Sequence, residues 1–205
     1  MPLFKKDRLD DVREEERARE LAKAHHVLVV DDEPDNVRVL FDLLAGEYHV
    51  HTAHSGSEAL NVLGREPIDM ILSDHRMPAM TGVELLGRSL DLRPHCVRLI
   101  LTGYIDVESI IAAINQGRVH HYVTKPWDTR ELLQTVRRSL AAYDAERQIR
   151  SQTSIMKGIA REILAQTEII AQSTEPRVLE AGRSIRKRVE RLLLLAGIDV
   201  AAGGT

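Results

Sequence analysis

From Val27 onward, short apolar runs alternate with stretches whose apolar residues recur every three to four positions. The first pattern reads as buried strands, the second as amphipathic helices. Val27 to Val30 predicts a strand that ends on Asp31, Asp32 and Glu33. Pro34 to Ala45 predicts a helix with Val37, Leu40, Phe41 and Leu44 on one face, closed by Gly46. Further strands are predicted at 49–53, 68–73, 97–101 and 121–124. Further helices are predicted at 57–63, over 83–90 and at 107–116, the last capped by Gly117. Asp128 suits the N-cap of a fifth helix through Glu131, Leu132, Leu133, Val136 and Leu140. Five strands alternating with five helices predict an α/β fold, a parallel sheet covered on both faces.

The ends of these strands carry the candidate chemistry. Strand one delivers Asp31 and Asp32, strand three Asp74, strand four Thr102 and strand five Lys125. Each lies at a strand C-terminus, where the crevice of an open α/β sheet collects ligands. A lone Asp74 before the loop His75 to Thr81 would read as a turn residue bonding its own backbone; three other strand ends, carrying four matching residues, favour a site. Three carboxylates brought together repel and call for a cation, and an all-oxygen donor set with open positions suits Mg²⁺. A carboxylate is also a nucleophile able to carry a phosphoryl group. Lysine supplies positive charge for phosphoryl oxygens and a hydroxyl supplies a donor.

Five motifs carry a family resemblance: Val-Val-Asp-Asp-Glu-Pro (29–34), Ser-Gly-Ser-Glu-Ala-Leu (55–60), Asp-His-Arg-Met-Pro-Ala-Met-Thr-Gly (74–82), Leu-Thr-Gly-Tyr (101–104) and Tyr-Val-Thr-Lys-Pro-Trp-Asp (122–128). Through them residues 26 to about 143 resemble the receiver (CheY-like) domain of two-component response regulators. The last two motifs look most like receivers joined to HD-type phosphodiesterases or to transcription factors of the hydrogenase-regulator kind. The resemblance implies a flavodoxin-like five-stranded sheet of order 2-1-3-4-5. It implies Asp74 as phosphoacceptor. Asp32, Asp74 and the backbone carbonyl of Arg76 would bind Mg²⁺ directly, with Asp31 acting mainly through a metal-bound water. Lys125 would hold the phosphoryl group, Thr102 would turn toward it, and Tyr122 would be the switch aromatic. The Lys125–Pro126 bond would be cis. Gly103 stands where alanine or serine is commoner in the family. Arg76 and Tyr104 would lie at the crevice rim, with Tyr104 shielding the phosphoryl group from water. A sensor histidine kinase or phosphotransfer protein would be the donor, and no enzyme activity beyond Mg²⁺-dependent self-phosphorylation and dephosphorylation is implied.

The flanks are less explicit. Residues 1–25 hold seven Lys/Arg and seven Asp/Glu and read as a solvated helical extension. Beyond the receiver, residues 144–205 read as a helical dimerisation or output region. Its first helix continues from the fifth receiver helix. Ile149, Met156, Ile163 and Ile170 recur every seven residues, with Ile159 beside them. Ser173 to Pro176 predicts a break. A second helix follows with Val178, Gly182, Ile185, Val189, Leu192 and Ala196 as its seam. Two such helices predict either a hairpin within the chain or a bundle between chains, and a homodimer through 144–200 is the expectation.

Composition narrows the rest. The 205 residues have a net charge of -3 and one cysteine, Cys96, so wholesale nucleic-acid binding, a membrane surface and an intramolecular disulfide are not indicated, and a cytoplasmic protein is expected. No apolar run reaches the roughly 20 residues of a membrane span. The last histidine is His121, so the C-terminal region has neither a phosphotransfer histidine nor an HD-type metal site. The cluster Arg183, Arg186, Lys187, Arg188 and Arg191 reads as a solvated face opposite the seam, with contact to phosphate as the lesser reading. Among the other histidines, His49, His51 and His54 form a small cluster; His49 and His51 share a strand face that could bind a metal, but without acidic or Cys partners nearby they read as exposed strand histidines, and His120 and His121 point to opposite faces and are not a ligand pair. Two classes of function follow: a receiver that relays phosphorylation to a helical protein-interaction module with an unidentified downstream partner, and, as second choice, a transcriptional regulator whose C-terminal helices bind DNA.

Overall fold

In the computed structural model, which describes residues 25–103, 111, 114 and 118–198, the strands carry side chains to two covered faces. β1 (His26–Val30) lies between β2 (His49–Ala53) and β3 (Met70–Asp74), with β4 (Val97–Thr102) and β5 (His121–Thr124) beyond β3. All pairings are parallel and the order is β2-β1-β3-β4-β5. Alternation along each strand divides the core. Leu28, Val30, Ile71 and Ile100 pack with Ala59 and Leu63 of α2 (Gly56–Arg65) and with Leu85 and Leu86 of α3 (Gly82–Leu92). Val27, Val29, Leu72 and Leu99 pack with Leu40 and Leu44 of α1 (Pro34–Leu44) and with Leu132, Val136 and Leu140 of α4 (Thr129–Ile170). Each fully buried aliphatic side chain contributes about 1.5–3 kcal/mol, which makes an almost wholly aliphatic core sufficient.

Local chemistry fixes the boundaries. Asp128 caps α4, its Oδ1 accepting the N–H groups of Arg130 (2.8 Å) and Glu131 (2.9 Å). Thr81 and Glu84 form a capping box at the start of α3. β3 begins at Met70, two residues later than expected, and just before it the Asp69 side chain accepts the His26 N–H on Oδ2 (2.9 Å). Gly46 does not close α1 through a left-handed turn: the Leu44 carbonyl accepts the N–H groups of both Glu47 and Tyr48 (3.0 Å each), turning the chain toward β2 without positive φ. Phe41 lies at the exposed edge of α1 rather than on its buried face. The predicted helix at 107–116 with Gly117 and the extension before His25 lie outside the described residues, although Ile111 and Ile114 are helical. Among the described residues no helix is long and apolar enough to cross a membrane.

The chain divides into two compact units, Met1–Tyr143 and Asp144–Thr205, and α4 crosses the division as one helix. Within the second unit, the rest of α4 and α5 (Pro176–Leu195) form an antiparallel hairpin, with Pro176 in the first turn of α5. Ala160, Leu193 and Ile198 form its buried cluster, with Leu164 and Val189 against it. Nearer the turn, Gly182 lets the helices approach: a Cβ there would lie 2.8 Å from Ile170 Cγ2. Arg186 pairs with Glu168 across the hairpin.

The seam differs from the heptad expected. Leu193 is 5% exposed, whereas Leu192 is 66% exposed and Ile185 also faces outward. The step from Val189 to the next inward residue is four, where a heptad seam would take three. Steps of seven and four suit a straight helix, which drifts off a strict seven-residue repeat by about 20° per heptad. On α4, Ile163 and Ile170 are half-buried, while Ile149, Met156 and Ile159 are exposed.

Candidate functional site

The sheet brings three of the expected residues into direct contact. Asp31, 1% exposed, follows β1; β3 ends at Asp74, also buried; Lys125 follows β5. Lys125 Nζ lies 3.0 Å from Asp31 Oδ2 and forms an ion pair with Asp74 Oδ1. One ammonium therefore spans carboxylates from two adjacent strands, at the point where the connections leave β1 and β3 for opposite edges of the sheet. Burial pulls the Lys125 pKa down, but hydrogen bonds and charge from Asp74 and Asp31 outweigh it and hold the group above its ordinary value. Lys125 is thus charged at neutral pH.

Both carboxylates are held in place. Asp31 accepts the Glu33 N–H on Oδ1 (2.9 Å) and the Asn36 amide on both oxygens (3.2 and 3.1 Å). Asp74 Oδ2 accepts the Arg76 N–H at 2.6 Å. The loop after Asp74 turns through Ala79 at φ 65, and Gly82 is required where the chain closes back, since a Cβ there would lie 2.2 Å from the Asp74 carbonyl oxygen. Ser73 Oγ donates to that same carbonyl (2.8 Å).

The other expected residues are arranged as follows. Asp32 is half-buried just beyond β1. Thr102, at the end of β4, is 1% exposed and its hydroxyl donates to the Gly103 carbonyl (3.0 Å), not to a group of the crevice. Tyr122 is 45% exposed on β5. The Arg76 side chain is exposed, and the Lys125–Pro126 bond is cis. Tyr104 lies outside the described residues. Two contributors escaped the sequence reading. Asn36 reaches Asp31 because Pro34 starts α1 at once and sets Asn36 in its first turn. Trp127 places its ring centroid 5.9 Å from Lys125 Nζ.

Among the described residues no three His, Cys, Asp or Glu side chains converge as a ready-made metal cage. The oxygen donors of Asp31, Asp32 and Asp74 still fit Mg²⁺, which takes one or two carboxylates and keeps water and phosphate oxygens for its remaining positions. Elsewhere, Cys96 is buried and its thiol pKa is pushed up by that burial, as an unreactive core cysteine requires.

Comparison with known proteins agrees with this geometry. Residues 27–137 match the family described as "Response regulator receiver domain". The chain is 42% identical over 116 residues to the hydrogenase transcriptional regulatory protein HoxA of Cupriavidus necator, covering 57% of this chain and 24% of HoxA. It is 34% identical over 154 residues to the transcriptional regulatory protein GlrR of Escherichia coli, covering 74% of this chain and 34% of GlrR. Among solved structures, the signal receiver domain of an HD domain-containing protein from Pseudomonas fluorescens matches at 34% identity and TM-score 0.57, over 60% of this chain and 92% of that one. Both receiver subgroups suggested by the motifs thus recur among the relatives. The chain spans about a quarter to a third of the length of these curated relatives. With a sheet of the expected order and a match covering more than half its length, this chain belongs to the receiver domain family of two-component response regulators.

Proposed function

We propose that Asp74 accepts a phosphoryl group from the phosphohistidine of a sensor kinase or phosphotransfer protein, or from a small phosphodonor. The observation that carries this reading is the single ammonium of Lys125 between the buried carboxylates of Asp31 and Asp74. An Asp74 carboxylate oxygen attacks phosphorus, the bond from phosphorus to the donor breaks, and the leaving group departs with that bond's electron pair and takes up a proton. Lys125 moves its charge from the carboxylates onto the transferred phosphoryl oxygens. Asp31, Asp32, Asp74 and the Arg76 carbonyl would hold Mg²⁺. Bound there, the ion supplies positive charge against the phosphoryl oxygens. The Thr102 hydroxyl exchanges Gly103 for the phosphoryl group, and Tyr122, outward in this state, turns inward as Thr102 moves.

The region 144–205 is the output. Its hairpin buries a small cluster and leaves Ile149, Met156, Ile159, Leu192, Leu194 and Leu195 exposed. Two helices alone rarely make a stable core, and a second copy of the same hairpin, packed through those side chains into a four-helix bundle, supplies one. Phosphorylation then changes the geometry of a homodimer. The second reading, a transcriptional regulator that touches DNA through α5, draws on the names of the relatives and on the exposed Arg183, Lys187, Arg188 and Arg191. A duplex-DNA mobility shift that weakens with salt would favour it.

Incubation with a small phosphodonor, followed by intact mass measurement, tests the chemistry. One phosphoryl group per chain is expected with Mg²⁺, none after chelation and none in Asp74→Asn. Equal incorporation in the wild type and Asp74→Asn overturns the assignment.

A further inference from the structure

The opposite end of β1 gathers three imidazoles that the phosphoryl site does not use. His26 opens β1 and pairs in register with His49 of β2, while His51 sits two residues along on the same face as His49. The His26 ring centroid lies 5.0 Å from that of His49 and 5.2 Å from that of His51. His26 Nδ1 is 2.9 Å from His51 Nε2. The backbone under this pair is fixed by the ladder between β1 and β2 and by the bond from the His26 N–H to Asp69 Oδ2. His26 and His51 are half-buried and His49 is exposed, so solvent reaches the group.

We propose that His26 and His51, with His49 as a third donor, bind a borderline divalent transition metal ion of the Ni²⁺ or Cu²⁺ kind at a site distinct from the Asp74 crevice. The donor type carries the choice of metal: imidazole nitrogens suit the later divalent transition metals, and affinity among these rises to Cu²⁺. The nitrogens of His26 and His51 already stand 2.9 Å apart, so ring rotation alone brings both lone pairs toward one ion. Without metal the same contact is a hydrogen bond between the rings. On binding, the shared hydrogen shifts to the other nitrogen of its own ring, so neutral imidazoles coordinate with no net proton release. As placed, the three rings do not converge on one point; the exposed His49 ring rotates to complete the set. The ions expected at the two sites differ, since imidazole nitrogen selects later transition metals and carboxylate oxygen selects Mg²⁺. His26 and Asp31 are about 16 Å apart along the strand.

Calorimetric titration of the full chain with Ni²⁺, and separately with Cu²⁺, in excess Mg²⁺ to saturate the carboxylates, tests the site. One ion per chain is expected. His26→Gln and His51→Gln should each weaken binding at least tenfold, and His49→Gln by a smaller factor. His54→Gln and His121→Gln, whose rings lie elsewhere, should bind as the wild type does. Electron paramagnetic resonance of the Cu²⁺ form should show coupling to two or three ring nitrogens, falling by one in His51→Gln. Circular dichroism and phosphoryl uptake by each variant report separately on folding and on the Asp74 site. Absence of stoichiometric binding, or equal affinity in the wild type, His26→Gln and His51→Gln, overturns the proposal.

Discussion

Lys125 balances the crevice. Its pKa is raised, so its contribution to stability is fully present below the ordinary lysine value of about 10.4 and fades as pH rises through the higher folded value. Across neutral pH the contribution is constant. Lys125→Met would leave Asp31 and Asp74 buried side by side with no neutralising charge. We expect a loss of about 1–3 kcal/mol in urea unfolding, with part of it recovered by Mg²⁺ through binding to the folded state alone. An unchanged midpoint, or one insensitive to Mg²⁺, would contradict this. Asp31, Asp74 and Lys125 could be read from the sequence because each closes an apolar run, and a parallel sheet sends every such end to one side. Asn36, Trp127 and the pairing of His26 with His51 could not, because each depends on register or on the first turn of a helix. The Thr102 hydroxyl, turned to Gly103, is likewise a matter of rotamer rather than of sequence.

Among the elements, the starts of β1 and β3 are tied by a carboxylate. Burial pushes the Asp69 pKa up, but bonds from His25, the His26 N–H and Tyr143 bring it below the ordinary value of 3.8. A depressed carboxylate stabilises the fold above its unfolded pKa and loses that contribution as pH falls through the folded value. Asp69→Asn should therefore cost about 1–2 kcal/mol at neutral pH and flatten the acid limb of the stability profile below about pH 4. A parallel downward shift at all pH values would show that the charge is not responsible. In the hairpin, Leu193 is expected to matter where Leu192 does not. Leu193→Ala should cost about 2–4 kcal/mol of hairpin stability and Leu192→Ala under about 1, measured by amide exchange over residues 144–198. Equal effects would restore the heptad seam. The two helices and the break at Pro176 were legible from apolar spacing and proline. The inward face was not, because four consecutive leucines, 192–195, offer every register and packing against α4 selects one.

For the whole molecule, the order of strands, the covering of both sheet faces and the family all follow from motifs spread over residues 29–128. The long α4 carries the receiver's last helix into the second unit. The exposed apolar residues of that unit predict self-association: full-length protein should scatter light as a dimer, and a chain ended after Tyr143 as a monomer that still takes phosphate. Full-length protein that stays monomeric at high concentration, with and without a phosphoryl mimic, would leave the hairpin as a module complete within one chain.

Chemical trapping reads directly whether the carboxylate at the end of β3 is the phosphoacceptor. Borohydride reduces an aspartyl phosphate and marks the residue that bore it. After treatment with a small phosphodonor and Mg²⁺, peptide mass spectrometry of the reduced protein should place the mark at Asp74, with Asp31 and Asp32 unmodified. A mark at either of those residues, or none at Asp74 while the protein gains phosphate, would contradict the account.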